Sequence, residues 1–211
     1  MKYYSSNEIN NMPSRARAHF INCITGFKSS NLIGTISKNG SPNLAIFSSV
    51  THLGSNPPLL GFILRSHSVT RNTYENIKET GFFTVNHVNA SMIKQAHQTS
   101  AKYDEGVSEF NETGLSDEFM LDFPAPFVTQ SIIKIGCRFE NEYFLKENKC
   151  RLIIGRIEHI HLPEYIVNAD GFINLEKANT VTSTGLDGYA LPHILDRFSY
   201  AEPDKQPRTL L

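Results

Sequence analysis

The stretch Gly40-Ser-Pro-Asn-Leu-Ala-Ile-Phe-Ser-Ser-Val50 decides how this 211-residue chain is read. Its apolar run Leu44–Val50 is short and β-rich, and it follows Gly, Ser and Pro, the punctuation of a strand leaving a turn. Within Lys38-Asn39-Gly40-Ser41 stands the Asn-Gly pair favoured in tight hairpins, where positive φ costs little. Leu32–Ile36 supplies the other arm of that hairpin. The same pattern recurs at Leu59–Leu64, Phe82–Val88, Ile132–Phe139 and Leu152–Leu162. Tyr143–Lys149 reads as the link between the last two strands, since Glu147-Asn148-Lys149 is a polar interruption. Several strands at short spacing, with few helices between them, predict a barrel rather than a parallel α/β sheet.

Two helices are expected. Asn72-Thr73-Tyr74-Glu75 fits a capping pattern with Asn72 as N-cap, Tyr74 and Ile77 on one face, and Gly81 at the stop. The second runs from about Ser91 to Ala101, with Met92, Ala96 and Ile93 facing inward. Residues 102–130 read as an irregular excursion holding a short helix around Ser116–Met120. The C-terminal stretch, with Pro192, Pro203 and Pro207, reads as an extended arm. No repeat or low-complexity tract divides the chain, so one domain over residues 1–211 with N- and C-terminal extensions is expected.

Composition narrows the function classes. Hydrophobic residues at 40% and charged residues at 19% mark an ordinary globular chain with material for a core. The net charge is -1, and the Lys and Arg residues form no stripe that would neutralise a nucleic-acid backbone. The apolar runs fall short of the ~20 residues that span a bilayer, and the polar start lacks the core of a signal peptide. A cytoplasmic protein is therefore expected. Cys23, Cys137 and Cys150 share no paired spacing and read as reduced, small, buried hydrophobes. His159 and His161 lie two apart on one strand face, but no further zinc ligand is placed, so no metal site is expected. No nucleophile elbow, Rossmann fingerprint or phosphate-binding P-loop occurs.

Several pieces, in order, resemble one family. They are Gly40–Val50, then Asn56-Pro-Pro-Leu-Leu-Gly-Phe62, Arg71-Asn-Thr-Tyr-Glu-Asn-Ile77 and Gly81-Phe-Phe-Thr-Val-Asn86. Thr99–Leu115, Gly185–Ala190 and Arg197–Ala201 continue the series. The chain is similar to the flavin reductase-like family, whose members carry an N-L-A-P-F-S strand, a D-P-P turn and an R-x-x-K-D-T-x-x-N-I helix start. Ile46 stands where that family has Pro, and Asn72 where Asp is usual. The resemblance implies a mainly β fold, a six- or seven-stranded antiparallel split β-barrel with a few peripheral α-helices. It also implies a homodimer holding FMN near the interface.

FMN presents a flat ring, a polyhydroxyl chain and a phosphate, so its site needs three kinds of surface. Asn43, Leu44 and Ala45 are expected at the ring, with Ala45 small enough for close approach and backbone groups meeting the polar edge. Phe47, Ser48 and Ser49 continue the strand, and the serines supply hydroxyls. Arg65-Ser66 ends one strand and Thr70-Arg71-Asn72-Thr73 opens a helix, whose N-terminus and arginines suit the phosphate. Asn86 reads equally as a cofactor contact or a structural residue, with His87 on the opposite face. Leu186, Asp187, Tyr189 and Tyr103 are weaker candidates for the substrate side. Hydride chemistry would belong to the flavin, so no catalytic acid or base is assigned. The expected activity is NAD(P)H-dependent FMN reduction, supplying a separate oxygenase or other electron acceptor. The alternatives are a flavoredoxin-like electron-transfer protein and a non-catalytic flavin carrier or sensor.

Overall fold

The computed structural model describes residues 1–65, 72–104 and 106–211. Seven antiparallel strands form the main sheet: β1 (Asn31–Ile36), β2 (Pro42–Phe47), β3 (Thr51–Ser55), β4 (Pro58–Leu64), β5 (Phe82–His87), β6 (Lys134–Leu145) and β7 (Cys150–His161). Their order is β2-β1-β5-β6-β7-β4-β3, so β2 lies at one edge and β3 at the other. The sheet curls until these edges approach. The Ser49 hydroxyl then bridges the split, accepting from the Ile63 N–H at 3.0 Å and donating to the Ile63 carbonyl at 3.4 Å.

Period-two alternation sorts the side chains into two cores. Ile33, Phe62, Phe83, Val85 and Ile153 point into the barrel and are fully buried. Phe62 meets Phe47 and Phe83 edge-on at centroid distances of 5.1 and 5.5 Å, geometry that suits the ring quadrupoles. Leu32 and Leu44 point outward and are covered by Met92, Ala96, Phe110 and Val128. The expected hairpin forms at Asn39-Gly40, with Gly40 at φ +82°.

Among the described residues five α-helices decorate the barrel: α1 (Ser6–Asn11), α2 (Ser14–Ile24), α3 (Asn72–Thr80), α4 (Ile93–Gln98) and α5 (Glu109–Thr113). α3 buries Ile77 completely against the barrel core, and Gly81 ends it at φ +79° with its N–H on the Ile77 carbonyl at 2.9 Å. Asn72 is the first residue within this helix rather than its cap.

Other expectations are corrected. β3 has no counterpart among the expected strands. β6 runs on to Leu145, so the link to β7 is only residues 146–149. The second helix is split into a 3₁₀ turn, Ala90–Met92, followed by α4; Asn89 caps the turn through the Ser91 N–H. The short helix in the excursion is α5, earlier than the Ser116–Met120 position, where Asp117–Glu118 instead pairs with Phe127–Val128. α1 and α2 bury no residue. Lys28–Ser29, Thr182–Thr184 and Gly188–Ala190 form a small second sheet. Of the cysteines only Cys137 is buried; Cys23 is exposed and Cys150 half-buried.

Candidate functional site

The open edge of β2 is where the expected site begins. The Leu44 N–H points off this edge and donates to a Glu109 carboxylate oxygen at 3.0 Å. Alternation sends the Ile46 amide the same way, while Asn43, Ala45 and Phe47 turn theirs toward β1. The backbone donor that this pairing leaves at the edge beside Leu44 therefore belongs to Ile46, while the Ala45 amide is turned toward β1. Burial raises the Glu109 carboxyl above the ordinary carboxylate range, and the bond from Leu44 partly opposes that rise. No local signal marks Glu109 in the sequence, since 65 residues separate it from Leu44.

At its start, β2 is tied to α3. Asn43 donates through Nδ2 to the hydroxyls of Thr35 (3.2 Å) and Thr73 (3.1 Å), and Asn76 donates to the same Thr35 hydroxyl at 3.1 Å. All four side chains are buried. Asn43 thus fixes the first turn of α3 beside the strand edge rather than offering its amide to solvent. Thr35 and Asn76 belong to this cluster and were not anticipated. Asn72 and Arg65 are exposed at either side of the connection. Ser66, Thr70 and Arg71 lie outside the described residues.

Two other expectations change. The Ser49 hydroxyl is taken up by barrel closure. Asn86 is fully buried, donating to the Leu32 carbonyl (3.2 Å) and the Thr84 hydroxyl (2.8 Å) and accepting from the Val128 N–H (3.0 Å). It clasps the outer segment to the barrel, which favours the structural half of its reading. Ser48 remains half-buried beyond the end of β2.

Two cavities lie apart from this edge. One, about 570 Å³, is an open groove between α4 and the Gly188–Ala190 strand, lined by Lys94, His97, Asp187 and Tyr189 among others. Tyr189 and His97 are joined there at 2.9 Å. Asp187 and Tyr189 thus share a groove, whereas Leu186 does not line it. Tyr103 bonds to Gln98 instead. The other cavity, about 260 Å³, opens at the barrel mouth away from α3 and includes Asn31, Leu60, Val85 and His87.

His87 is the inward neighbour of Asn86, as the alternation predicts. Burial pushes its pKa down to about 4. An unfolded His titrates near ~6.5, so between these values the unfolded chain binds the additional proton. The stability tied to this group is therefore complete above about pH 6.5 and is lost as pH falls toward 4. His87→Phe is expected to flatten that slope in urea unfolding measured across pH 4–7, by at most about 3 kcal/mol. An unchanged slope would place the acid sensitivity elsewhere.

His159 and His161 stack with ring planes 2° apart at 6.3 Å, edge-on to Phe123 and Phe127. Among the described residues no group of three or more His, Cys, Asp or Glu gathers as a metal site. No described helix is long and apolar enough to cross a membrane.

Comparison with known proteins sets the chain among the split-barrel flavoproteins, an oxidoreductase class. Residues 27–173 match the family described as flavin reductase like domain, and the chain belongs to that family. It is 47% identical to a candidate flavin reductase with a split barrel domain from Shewanella frigidimarina NCIMB 400, covering 95% of this chain and 100% of that one, at a TM-score of 0.92. Nitrilotriacetate monooxygenase component B from Bacillus cereus shares the fold at 21% identity and a TM-score of 0.82, over 93% of this chain and 98% of that one. Flavoredoxin of Desulfovibrio vulgaris (Miyazaki F) does so at 19% and 0.69, over 85% and 92%.

Proposed function

We propose that the chain, acting as one domain over residues 1–211 and as a homodimer, binds FMN along the open edge of β2 and reduces it with NAD(P)H. The carrying observation is the alignment of the outward edge amides with the first turn of α3, held together by Asn43 and Thr73. From Asn43 to Phe47 the strand spans roughly 13 Å at its usual rise, enough for one elongated cofactor to reach from edge to helix. Residues and group fit chemically. Ile46 presents a donor and an acceptor for a polar ring edge, and Ala45 adds no bulk beside it. The Ser48 hydroxyl suits the ribityl chain. Arg65 and the N-terminus of α3, with Asn72, suit a phosphate, joined in this reading by Ser66, Thr70 and Arg71.

When bound, the flavin supplies hydride acceptance, and this chain's residues orient it and leave one ring face open to a nicotinamide. No side-chain acid or base is required. Support for transfer to a separate oxygenase comes from the likeness to a monooxygenase component B. Likeness to flavoredoxin supports the second reading, in which FMN stays bound and another acceptor takes the electrons. A cytoplasmic location suits either reading.

Anaerobic titration of the FMN-supplemented protein with NADH and then NADPH tests this directly. Bleaching of the flavin's visible band by either donor is the expected result and names the donor. Bound flavin that stays oxidised overturns the reductase reading and favours a carrier. Failure to retain flavin under any condition removes the proposed site.

A further inference from the structure

The barrel mouth opposite α3 holds two polar atoms that the fold leaves unanswered. Asn31 is 2% exposed, and its Nδ2 has no hydrogen-bond partner among the described residues. The buried Nδ1 of His87 likewise has none. Asn31 and His87 are directly paired across β1 and β5, so their side chains leave adjacent strands on the same inward face. Both line the 260 Å³ cavity. A buried amide donor without a partner costs about 1–3 kcal/mol, which makes two at one spot an unusual expense for a wall with no occupant.

The remaining walls specify the occupant. Leu60, Val85, Ile135 and Ile157 make the lining apolar, and no charged side chain contributes to it among the described residues. Water alone suits this poorly. One molecule needs 2–4 polar partners and takes about 30 Å³, so a single water could answer the two orphan atoms and leave most of the space against hydrocarbon. An apolar cavity of about 150 Å³ accepts benzene, so this one has room for two fused rings.

We propose that the barrel mouth is a binding site for an uncharged, flat, two-ring molecule whose carbonyl-type oxygen is held by Asn31 and His87. Neither orphan atom has appreciable accessible surface, so binding turns both side chains toward the cavity, where the amide Nδ2 donates to that oxygen. The neutral imidazole, in the tautomer with hydrogen on Nδ1, donates a second bond. The rings rest on Val85, Ile135 and Ile157, with Ser29, Thr51 and His52 at the rim. This site does not depend on the flavin reading, because it uses the barrel interior and not the edge of β2.

Coumarin, which carries such an oxygen, and naphthalene, which lacks it, are suitable probes for amide chemical-shift titration of the full-length chain. Coumarin is expected to shift amides around Asn31 and His87 saturably and to bind at least about fivefold tighter than naphthalene, about 1 kcal/mol. Asn31→Leu should abolish that preference while keeping naphthalene bound. His87→Leu, on a different strand, should weaken coumarin about fivefold if Asn31→Leu does not fold. No saturable shifts, equal binding of both probes to the unaltered protein, or a preference that survives these substitutions would overturn the proposal. Titrations with and without FMN separate the two sites: coumarin binding by protein that retains no flavin leaves this site standing while the flavin reading falls.

Discussion

Gly34→Ala is expected to lower the stability of the protein by about 3 kcal/mol or more, through overpacking at a position with no room to relax. A Cβ at Gly34 would stand 2.3 Å from the Pro126 carbonyl oxygen and 2.6 Å from the Thr84 hydroxyl. Those two atoms are themselves bonded at 2.6 Å, so the intruding methyl also splits a buried hydrogen bond. The backbone cannot easily retreat, because β1 is paired on both sides, to β2 and to β5. For a chain of this size the loss corresponds to a fall of about 6–12 °C in unfolding midpoint, readable by circular dichroism. Gly40→Ala is the comparison: nothing lies within 4 Å of its Cβ, and only the φ of +82° opposes it. A Gly34→Ala midpoint no lower than that of Gly40→Ala would refute the close approach of residue 126 to the sheet.

Asn86→Leu should be nearly as damaging, and it separates two roles a strand asparagine can have. Its three bonds leave behind a buried Val128 N–H and a Leu32 carbonyl and Thr84 hydroxyl without their donor. At about 1–3 kcal/mol for the unanswered Val128 N–H and about 1 kcal/mol for each acceptor that loses a donor, the Thr84 hydroxyl still bonding Pro126, the expected loss is about 3–5 kcal/mol in urea unfolding. The folded fraction should nevertheless bind FMN within about twofold of the unaltered protein, since the side chain has no exposure to a ligand. Flavin affinity falling tenfold or more in folded Asn86→Leu would return the residue to the cofactor site.

Much of the barrel is readable because its strands alternate and are punctuated locally. Asn39-Gly40 announces the first hairpin, and Gly81 announces the end of α3. β3 escapes because Thr51–Ser55 is an exposed edge strand whose His52, Leu53 and Gly54 show no clean alternation. α1 escapes for the opposite reason. Its support is a capping box, Ser5 with Glu8, and not an apolar face. The site is legible at coarser grain. The resemblance points to this strand and helix, but which backbone groups face outward depends on the pairing of β2 with β1. Asn43 and Ser49 look like ligand contacts in sequence because small polar residues beside a strand suit both uses. Their partners, Thr73 and Ile63, are 30 and 14 residues away, and only the fold shows that they are taken. Asn31 could have been suspected on the same ground as Asn86, since asparagine is disfavoured in strands.

An unpaired strand edge is a hazard as well as an opportunity, because it will template any extended peptide that reaches it. The Glu109 carboxylate answers this at the Leu44 amide. A stray strand could extend the sheet there only by displacing a partly buried acidic group, so α5 acts as a gatekeeper against aggregation. Beyond its reach lies the Ile46 amide, a stretch too short for a foreign strand to gain much.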